Sequence, residues 1–136
     1  MPRRSTVDYV LRKRALLADV RRGRVALAEV CDAAPQLTQA ARYHGEDTDD
    51  PCPVCERRRL TRVNFVYGDA LGTVAGQAKR EAELARMDAM QDEFAVYAVE
   101  VCRGCGWNHL ASSYVLGAEP GPGRVPRRTR RATRSD

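Results

Sequence analysis

Two short cysteine motifs constrain this chain of 136 residues more than any other feature of its sequence. Residues 52–55 read CPVC and residues 102–105 read CRGC, and we call these the first and the second knuckle. A tight turn can aim both sulfurs of a C-x-x-C pair inward, and four thiolates complete the closed tetrahedral site of a structural zinc ion. Together the two knuckles predict one structural Zn²⁺. Its ligands would be Cys52, Cys55, Cys102 and Cys105.

The residues within and after the knuckles favour tight turns. Pro53 restricts the backbone of the first knuckle. Gly104 and Gly106 allow the second to take positive φ angles, which glycine tolerates at little steric cost. Trp107 follows directly, and we expect it to pack over the second knuckle and shield the metal site. The alternative is an exposed indole that stacks on a nucleic-acid base.

The cysteine count favours metal binding over a disulfide framework. Five cysteines leave one unpaired, and reduced thiols are typical of the cytoplasm. No apolar run approaches the ~20 residues that span a bilayer, and the N-terminus has no apolar signal core. We therefore expect a cytoplasmic protein without membrane contact. The fifth cysteine, Cys31, lies in an apolar helical pattern and is expected to be a buried, inert thiol.

Charge is unevenly distributed along the chain. Residues 1–44 carry nine Lys/Arg and four Asp/Glu, a net charge of +5, whereas residues 45–56 carry five acids and no base. Residues 57–119 carry eight of each sign, and residues 120–136 carry six Arg and one Asp. The basic surplus therefore lies at the two ends of the sequence and not in the part that contains the knuckles.

The spacing of apolar residues predicts that residues 1–45 form a helical segment. A helix is predicted over residues 6–22, with Gly23 as its stop. A second helical pattern covers residues 25–33, and a third begins at Pro35, a residue type that is favoured at the first position of a helix. We expect these short helices to form a small bundle.

Two polar segments separate or follow the predicted elements. Residues 46–51, EDTDDP, are interpreted as an acidic linker that could also fold back and screen the basic ends. Residues 118–136 combine Pro, Gly and like charge without apolar periodicity, which predicts a disordered Arg-rich tail. The tail residues proposed to contact nucleic acid are Arg124, Arg127, Arg128, Arg130, Arg131 and Arg134.

The part of the chain between these segments predicts an α+β fold. Alternating or β-rich runs predict strands over residues 60–67, 94–101 and 108–116, and strong helix formers predict a helix over about 77–92. The order of knuckle, strand, helix, strand, knuckle and strand resembles a zinc ribbon, in which two knuckles clamp one zinc beside a three-stranded antiparallel sheet. The resemblance covers residues 52–117, with the helix as an insertion in the 46-residue gap between the knuckles.

The chain as a whole also resembles an uncharacterised family of small actinobacterial proteins with a zinc-ribbon-like domain. The resemblance rests on the Arg-rich first helix, the segment VCDAAP at residues 30–35 and both knuckles, and it spans most of residues 5–117. It implies a source and a domain, and it implies no activity.

Several function classes have no support in the sequence. Four cysteine ligands leave no open coordination position for catalysis. No catalytic triad, paired carboxylates or phosphate-binding loop is present, so we predict no enzyme and no small-molecule substrate. His109 lies four residues past Cys105, and we expect it and His44 to be surface or hydrogen-bonding residues rather than metal ligands.

The hypothesis that the sequence favours is a non-enzymatic zinc protein that docks on nucleic acid or on a nucleic-acid machine such as RNA polymerase or the ribosome. The support is the pair of basic ends, and the step from a ribbon to this role is an analogy. One alternative is a protein–protein interaction module without nucleic-acid contact. Another is a thiol redox sensor that uses the same cysteines. The oligomeric state does not follow from the sequence.

Overall fold

The computed structural model describes residues 2–119, and its centre is one antiparallel sheet. The strands are β1 (Arg4–Asp8), β2 (Glu46–Pro51), β3 (Arg59–Tyr67), β4 (Ala78–Lys79), β5 (Phe94–Val101) and β6 (Asn108–Leu116). The helices are α1 (Val10–Arg21), α2 (Leu27–Val30), α3 (Pro35–His44) and α4 (Glu81–Met90), with a 3₁₀ helix at Asp69–Val74. None of the helices in this described part is long and apolar enough to cross a membrane.

The three strands predicted between and after the knuckles are confirmed as β3, β5 and β6, and they form an antiparallel meander. The prediction of a three-stranded sheet is wrong, because the described chain builds six strands in the order β1-β6-β5-β3-β2, with β4 also paired to β3. The reason is that β6 and β3 each leave an edge with unpaired backbone groups, and such an edge favours pairing with a further strand. Segments outside the predicted ribbon supply β1 and β2.

The predicted first helix is wrong at its start and right at its end. Residues 4–8 form β1, in which Asp8 pairs with Ser112 of β6, and the helix begins only at Val10. Residues 4–8 are extended despite the helical spacing of their sequence, because the edge of β6 offers them backbone hydrogen bonds. At the other end Gly23 has a φ of +74°, and its N–H donates to the Val20 carbonyl (3.1 Å). This is a Schellman-type helix stop.

The acidic segment at residues 46–51 is a strand rather than a linker. It forms β2 and pairs antiparallel with β3, with Asp47 opposite Thr61. The Thr61 hydroxyl donates to the Asp47 carboxylate (3.3 Å), and the Thr48 hydroxyl donates to the Leu60 carbonyl (2.8 Å). Its acidic side chains lie on the outer edge of the sheet, where charge discourages pairing with another chain.

Two further predictions differ in extent. The helix expected over about 77–92 is α4, which is shorter and is preceded by β4. Its Leu84 side chain is fully buried, and Met87 packs against the same core. These apolar residues attach α4 to the sheet. In the predicted tail, the Ala118 N–H donates to the Gln91 carbonyl (2.9 Å), and Glu119 pairs with Arg4 (3.0 Å). Residues 120–136, with all six tail arginines, lie outside the described residues.

The core divides into three groups of buried side chains. One lies under the 3₁₀ helix and α4, and another lies where α3 covers Val63 and Val101. The third, which we call the cysteine-end core, contains the knuckles. Its buried members are Leu17, Val30, Cys52, Leu60, Cys102 and Trp107. Because Leu17 and Val30 come from α1 and α2, this core ties the N-terminal helices to the end of the sheet.

A buried carboxylate links α1 to the sheet beside the cysteine-end core. The Glu100 side chain is 8% exposed, and one of its oxygens lies 2.7 Å from the Lys13 ammonium. The Trp107 indole N–H donates to the same oxygen (2.9 Å). Sequence analysis overlooked this contact, although an acid at an inward position of an apolar strand was a signal. A charge held in so little water needs its partners, because an unpaired buried charge is costly.

We expect Lys13→Met to lower the free energy of unfolding by about 1–3 kcal/mol, because it leaves the Glu100 carboxylate buried without its counter-charge. Arg14→Met removes the same charge from an exposed position of α1 and should change stability by less than about 0.5 kcal/mol. Urea unfolding of the wild-type protein and the two variants measures both values. Equal effects of the two substitutions would contradict a structural role for the Lys13–Glu100 pair.

Candidate metal centre

The structure brings the four predicted ligand cysteines together. Their sulfurs all lie within 4.8 Å of one another. The Sγ atoms of Cys52 and Cys105 are 3.7 Å apart, as are those of Cys55 and Cys102. A tetrahedral ion with metal–sulfur bonds of ~2.3 Å has sulfur–sulfur edges of about 3.8 Å. The four cysteines are therefore positioned to hold one metal ion.

Strand pairing explains how cysteines separated by a 46-residue gap in the sequence meet. The first knuckle is the turn between β2 and β3, and the second is the turn between β5 and β6. Because β3 and β5 are neighbours, with Thr61 opposite Val101, the two turns lie side by side at one end of the sheet. The long insertion leaves the hairpin at its other end and does not disturb the site.

The first knuckle is a hydrogen-bonded turn that points amides at its sulfurs. The Cys52 N–H donates to the Arg58 carbonyl (2.8 Å), and the Glu56 N–H donates to the Cys52 carbonyl (3.1 Å). The Val54 N–H donates to the Cys52 sulfur (3.4 Å). Glu56 has a φ of +56°, an uncommon backbone conformation for a residue with a side chain.

The second knuckle repeats the same plan. The Cys102 N–H donates to the Trp107 carbonyl (2.8 Å), and the N–H groups of Cys105 and Trp107 donate to the sulfurs of Cys102 and Cys105 (3.4 Å each). Gly106 has a φ of +91°, as the sequence predicted. Gly104 has no positive φ; its missing side chain instead leaves room for Arg58, whose Cδ would lie 2.5 Å from a Cβ at that position.

The protonation of the metal-free thiols follows from their surroundings. Burial raises the pKa of the Cys52 thiol to about 12 and that of the Cys105 thiol to about 11. Backbone N–H groups of Arg57 and Arg58 lower the pKa of Cys55 to about 7. Since thiolates are the species that bind a metal, metal binding must displace protons from Cys52 and Cys105 at neutral pH.

The fifth cysteine lies against this cluster, which the sequence analysis did not predict. Cys31 is half-buried, and its Sγ is 3.6 Å from that of Cys105. Two hydrogen bonds hold its segment on the second knuckle: the Ala33 N–H donates to the Gly106 carbonyl, and the Asn108 side-chain amide donates to Asp32 (3.0 Å each). No sequence spacing indicates this contact, because Cys31 belongs to neither motif.

The aromatic and histidine side chains near the cluster have structural positions. Trp107 is fully buried in the cysteine-end core, so its predicted packing is confirmed and an exposed base-stacking role is wrong. The His109 ring stacks on Trp107 at 5.8 Å, and its Nδ1 donates to the Leu110 carbonyl (2.7 Å). His44 ends α3 on the surface. Neither histidine belongs to the group of possible metal ligands found among the described residues.

The basic side chains of the N-terminal region are partly neutralised within the fold. Arg3 pairs with Glu81 (3.2 Å), and Arg4 pairs with Glu93 (3.5 Å) as well as with Glu119. Four arginines of α1 or its C-cap remain exposed without an ion pair to any described residue. They are Arg12, Arg14, Arg21 and Arg22. The basic surplus of residues 1–44 is therefore smaller at the surface than in the sequence.

Comparison with known proteins places the chain among mycobacterial relatives. Residues 1–131 match the model of a family of unknown function, DUF5318. The chain is 50% identical over 121 residues to the uncharacterized proteins Rv0049 of Mycobacterium tuberculosis H37Rv and Mb0050 of Mycobacterium bovis, which covers 89% of this chain and 88% of each relative. No solved structure matches. The expectation of an uncharacterised actinobacterial family is thereby confirmed, and the chain belongs to the DUF5318 family.

Proposed function

We propose that the four cysteines bind one structural Zn²⁺ and that this ion stabilises the junction of the sheet with the N-terminal helices. The observation that carries the proposal is the cluster of four sulfurs at tetrahedral spacing. Zinc suits an all-thiolate site, and four protein ligands leave no position for a substrate or a water nucleophile. A site of this kind contributes ~10–16 kcal/mol of apparent binding free energy. That matches or exceeds the ~5–15 kcal/mol stability of a typical small domain.

We expect Cys102→Ser to abolish stoichiometric zinc binding and the cooperative unfolding transition, because three thiolates cannot close the site. Cys31→Ser removes a neighbouring thiol that lies outside the four and should retain one zinc per chain. Zinc content by mass spectrometry under native conditions and thermal unfolding report both outcomes. A zinc-loaded, cooperatively folded Cys102→Ser variant would contradict a structural metal.

The role proposed for the zinc-stabilised fold is that of a non-enzymatic cytoplasmic factor that binds nucleic acid or a nucleic-acid machine such as RNA polymerase or the ribosome. Its support is the exposed arginines of α1 together with the six arginines in residues 120–136. Lys/Arg contacts to phosphates release counterions, so such binding is sequence-independent and sensitive to salt. A protein–protein interaction module is the competing role, and it predicts a partner retained at high salt and after nuclease treatment.

Binding of the full chain to a labelled duplex should weaken with salt by roughly 0.9 in log K per unit of log salt for each phosphate contacted. Deletion of residues 120–136 should reduce this slope and leave a smaller slope that belongs to the folded part. The cut follows Glu119, so the Arg4–Glu119 pair is preserved. A protein partner captured from cytosol regardless of nuclease, with no retention of the duplex, would contradict nucleic-acid docking and support the interaction module.

Thiol redox sensing is a second candidate function, and the position of Cys31 is the observation that favours it. An organic peroxide could join Cys31 and Cys105, whose sulfurs are 3.6 Å apart. The two electrons released by disulfide formation would cleave the peroxide O–O bond. The thiol proton of Cys31 and one proton from solvent would complete an alcohol and a water molecule. Zinc would then keep three thiolates and bind less tightly.

In the redox case, peroxide should release zinc from the wild-type protein to a chromogenic chelator, and peptide mapping should find a Cys31–Cys105 disulfide. Cys31→Ser should slow the release several-fold at the same peroxide concentration, because the remaining cysteines are held by the metal. Equal release rates, or a reduced Cys31 in the oxidised protein, would contradict this function. The structural-zinc proposal is judged separately, by the zinc content before oxidation.

A further inference from the structure

A hollow beside the metal centre collects arginines from both knuckles. Its volume is about 370 Å³, and it lies between β2 and the tips of the two turns. Its charged lining residues are Arg57, Arg58, Arg59, Arg103, Asp47 and Asp49. Residues 57–119 as a whole carry as many acids as bases, although three of these arginines form the run at residues 57–59. The fold concentrates four guanidinium groups at one place, and we call this the arginine hollow.

The fold brings these arginines together in the same way as it brings the cysteines together. Residues 57–59 follow the first knuckle after one residue, Glu56, and Arg103 lies inside the second knuckle. Arg58 lies across the second turn, because its Cδ occupies the space that a side chain at position 104 would need. The arginine hollow therefore depends on the same side-by-side packing of the two turns as the proposed metal centre.

The charges of the hollow are incompletely balanced. Arg59 and Asp49 are 3.4 Å apart, but their side chains are 71% and 99% exposed, and such a pair contributes little stability. Asp47 accepts a hydrogen bond from Thr61 and forms no ion pair within the described chain. Arg57, Arg58 and Arg103 are exposed and have no carboxylate at ion-pair distance among the described residues. Three guanidinium groups are thus free to bind an anionic partner.

We propose that the arginine hollow binds the phosphate backbone of nucleic acid, as a second contact region in addition to the Arg-rich end of the chain. Guanidinium groups bind phosphate oxygens in a bidentate geometry, and several of them around one concave surface favour a polyanion over a single carboxylate. The nearby aromatic Trp107 is buried and offers no surface on which a base could stack, so the proposed contact is with phosphates. This inference rests on the proposed nucleic-acid function and adds the surface that carries it.

The acidic strand β2 lines one side of the arginine hollow. Its Asp47 and Asp49 line the hollow beside the arginines, so these two acids lie next to the arginines that follow the first knuckle. A phosphate entering the hollow competes with Asp49 for Arg59. The two carboxylates therefore weaken binding of nucleic acid and oppose the arginines at the same place.

The test compares full-length, zinc-loaded variants for binding to a fluorescein-labelled duplex over a range of salt concentrations. The triple variant Arg57→Gln/Arg58→Gln/Arg103→Gln should make the salt slope shallower by roughly 0.9 for each phosphate contact removed. The matched control, Arg42→Gln/Arg80→Gln/Arg86→Gln, removes the same charge from exposed positions outside α1 and the hollow and should leave the wild-type slope. Replacing the three knuckle arginines by lysine should restore most of the slope, which shows that a loss in the glutamine variant is not a folding defect.

Asp47→Asn/Asp49→Asn should strengthen binding of the same duplex.

The outcomes distinguish failure of the arginine hollow as a contact surface from failure of the proposed nucleic-acid function. If the wild-type chain binds the duplex and the knuckle triple has an unchanged slope, the arginine hollow is not a contact surface, while the proposed function stands. If the wild-type chain shows no salt-dependent binding, the proposed nucleic-acid function fails and this inference fails with it. If the duplex is not bound but a poly-glutamate peptide is, through the same three arginines, the partner is an acidic protein and the assignment to nucleic acid is wrong.

Discussion

The pairing of β3 with β5 is the interaction on which the rest of the structure depends. Each of these strands adjoins a knuckle, and their antiparallel register sets the two turns next to each other. The cysteine cluster, the cysteine-end core and the arginine hollow all follow from that one neighbour relation. It also explains how the fold accommodates a long insertion, because the segment that contains β4 and α4 connects β3 and β5 at the end away from the cysteines.

The cysteine end of the sheet combines an apolar core with hydrogen bonds to buried sulfurs. Buried cysteines would be ordinary apolar core residues, but backbone N–H groups in or directly after the two knuckles point at all four sulfurs of the cluster. These N–H groups favour thiolates, whereas burial favours the neutral thiols of Cys52 and Cys105. Four thiolates close together also repel one another unless a cation lies between them. The proposed structural metal would account for four cysteines at a place where apolar side chains could otherwise fill the core. The pair of Lys13 and Glu100 completes this end by attaching α1 beside Trp107.

The proposed functions share one physical basis. A closed metal site holds two exposed turns rigidly, and the side chains on those turns are then presented in a fixed geometry. Arginines on the turns offer a surface to polyanions, and Cys31 at the inner side offers a thiol to the cluster. The family and its mycobacterial relatives have no described activity, so the chemistry of these residues is what indicates the function.

The sequence by itself determined the elements whose information is local. C-x-x-C spacing identified the four clustered cysteines, alternation identified β3, β5 and β6, and Gly23 marked a helix end. Only the tertiary structure decided that residues 4–8 and 46–51 become strands, because their conformation depends on open edges of β6 and β3 rather than on their own periodicity. The same holds for Cys31 beside Cys105 and for Arg58 beside Arg103. Such contacts join residues far apart in sequence, and no local pattern of spacing or propensity encodes a neighbour that the chain meets only when the sheet is assembled.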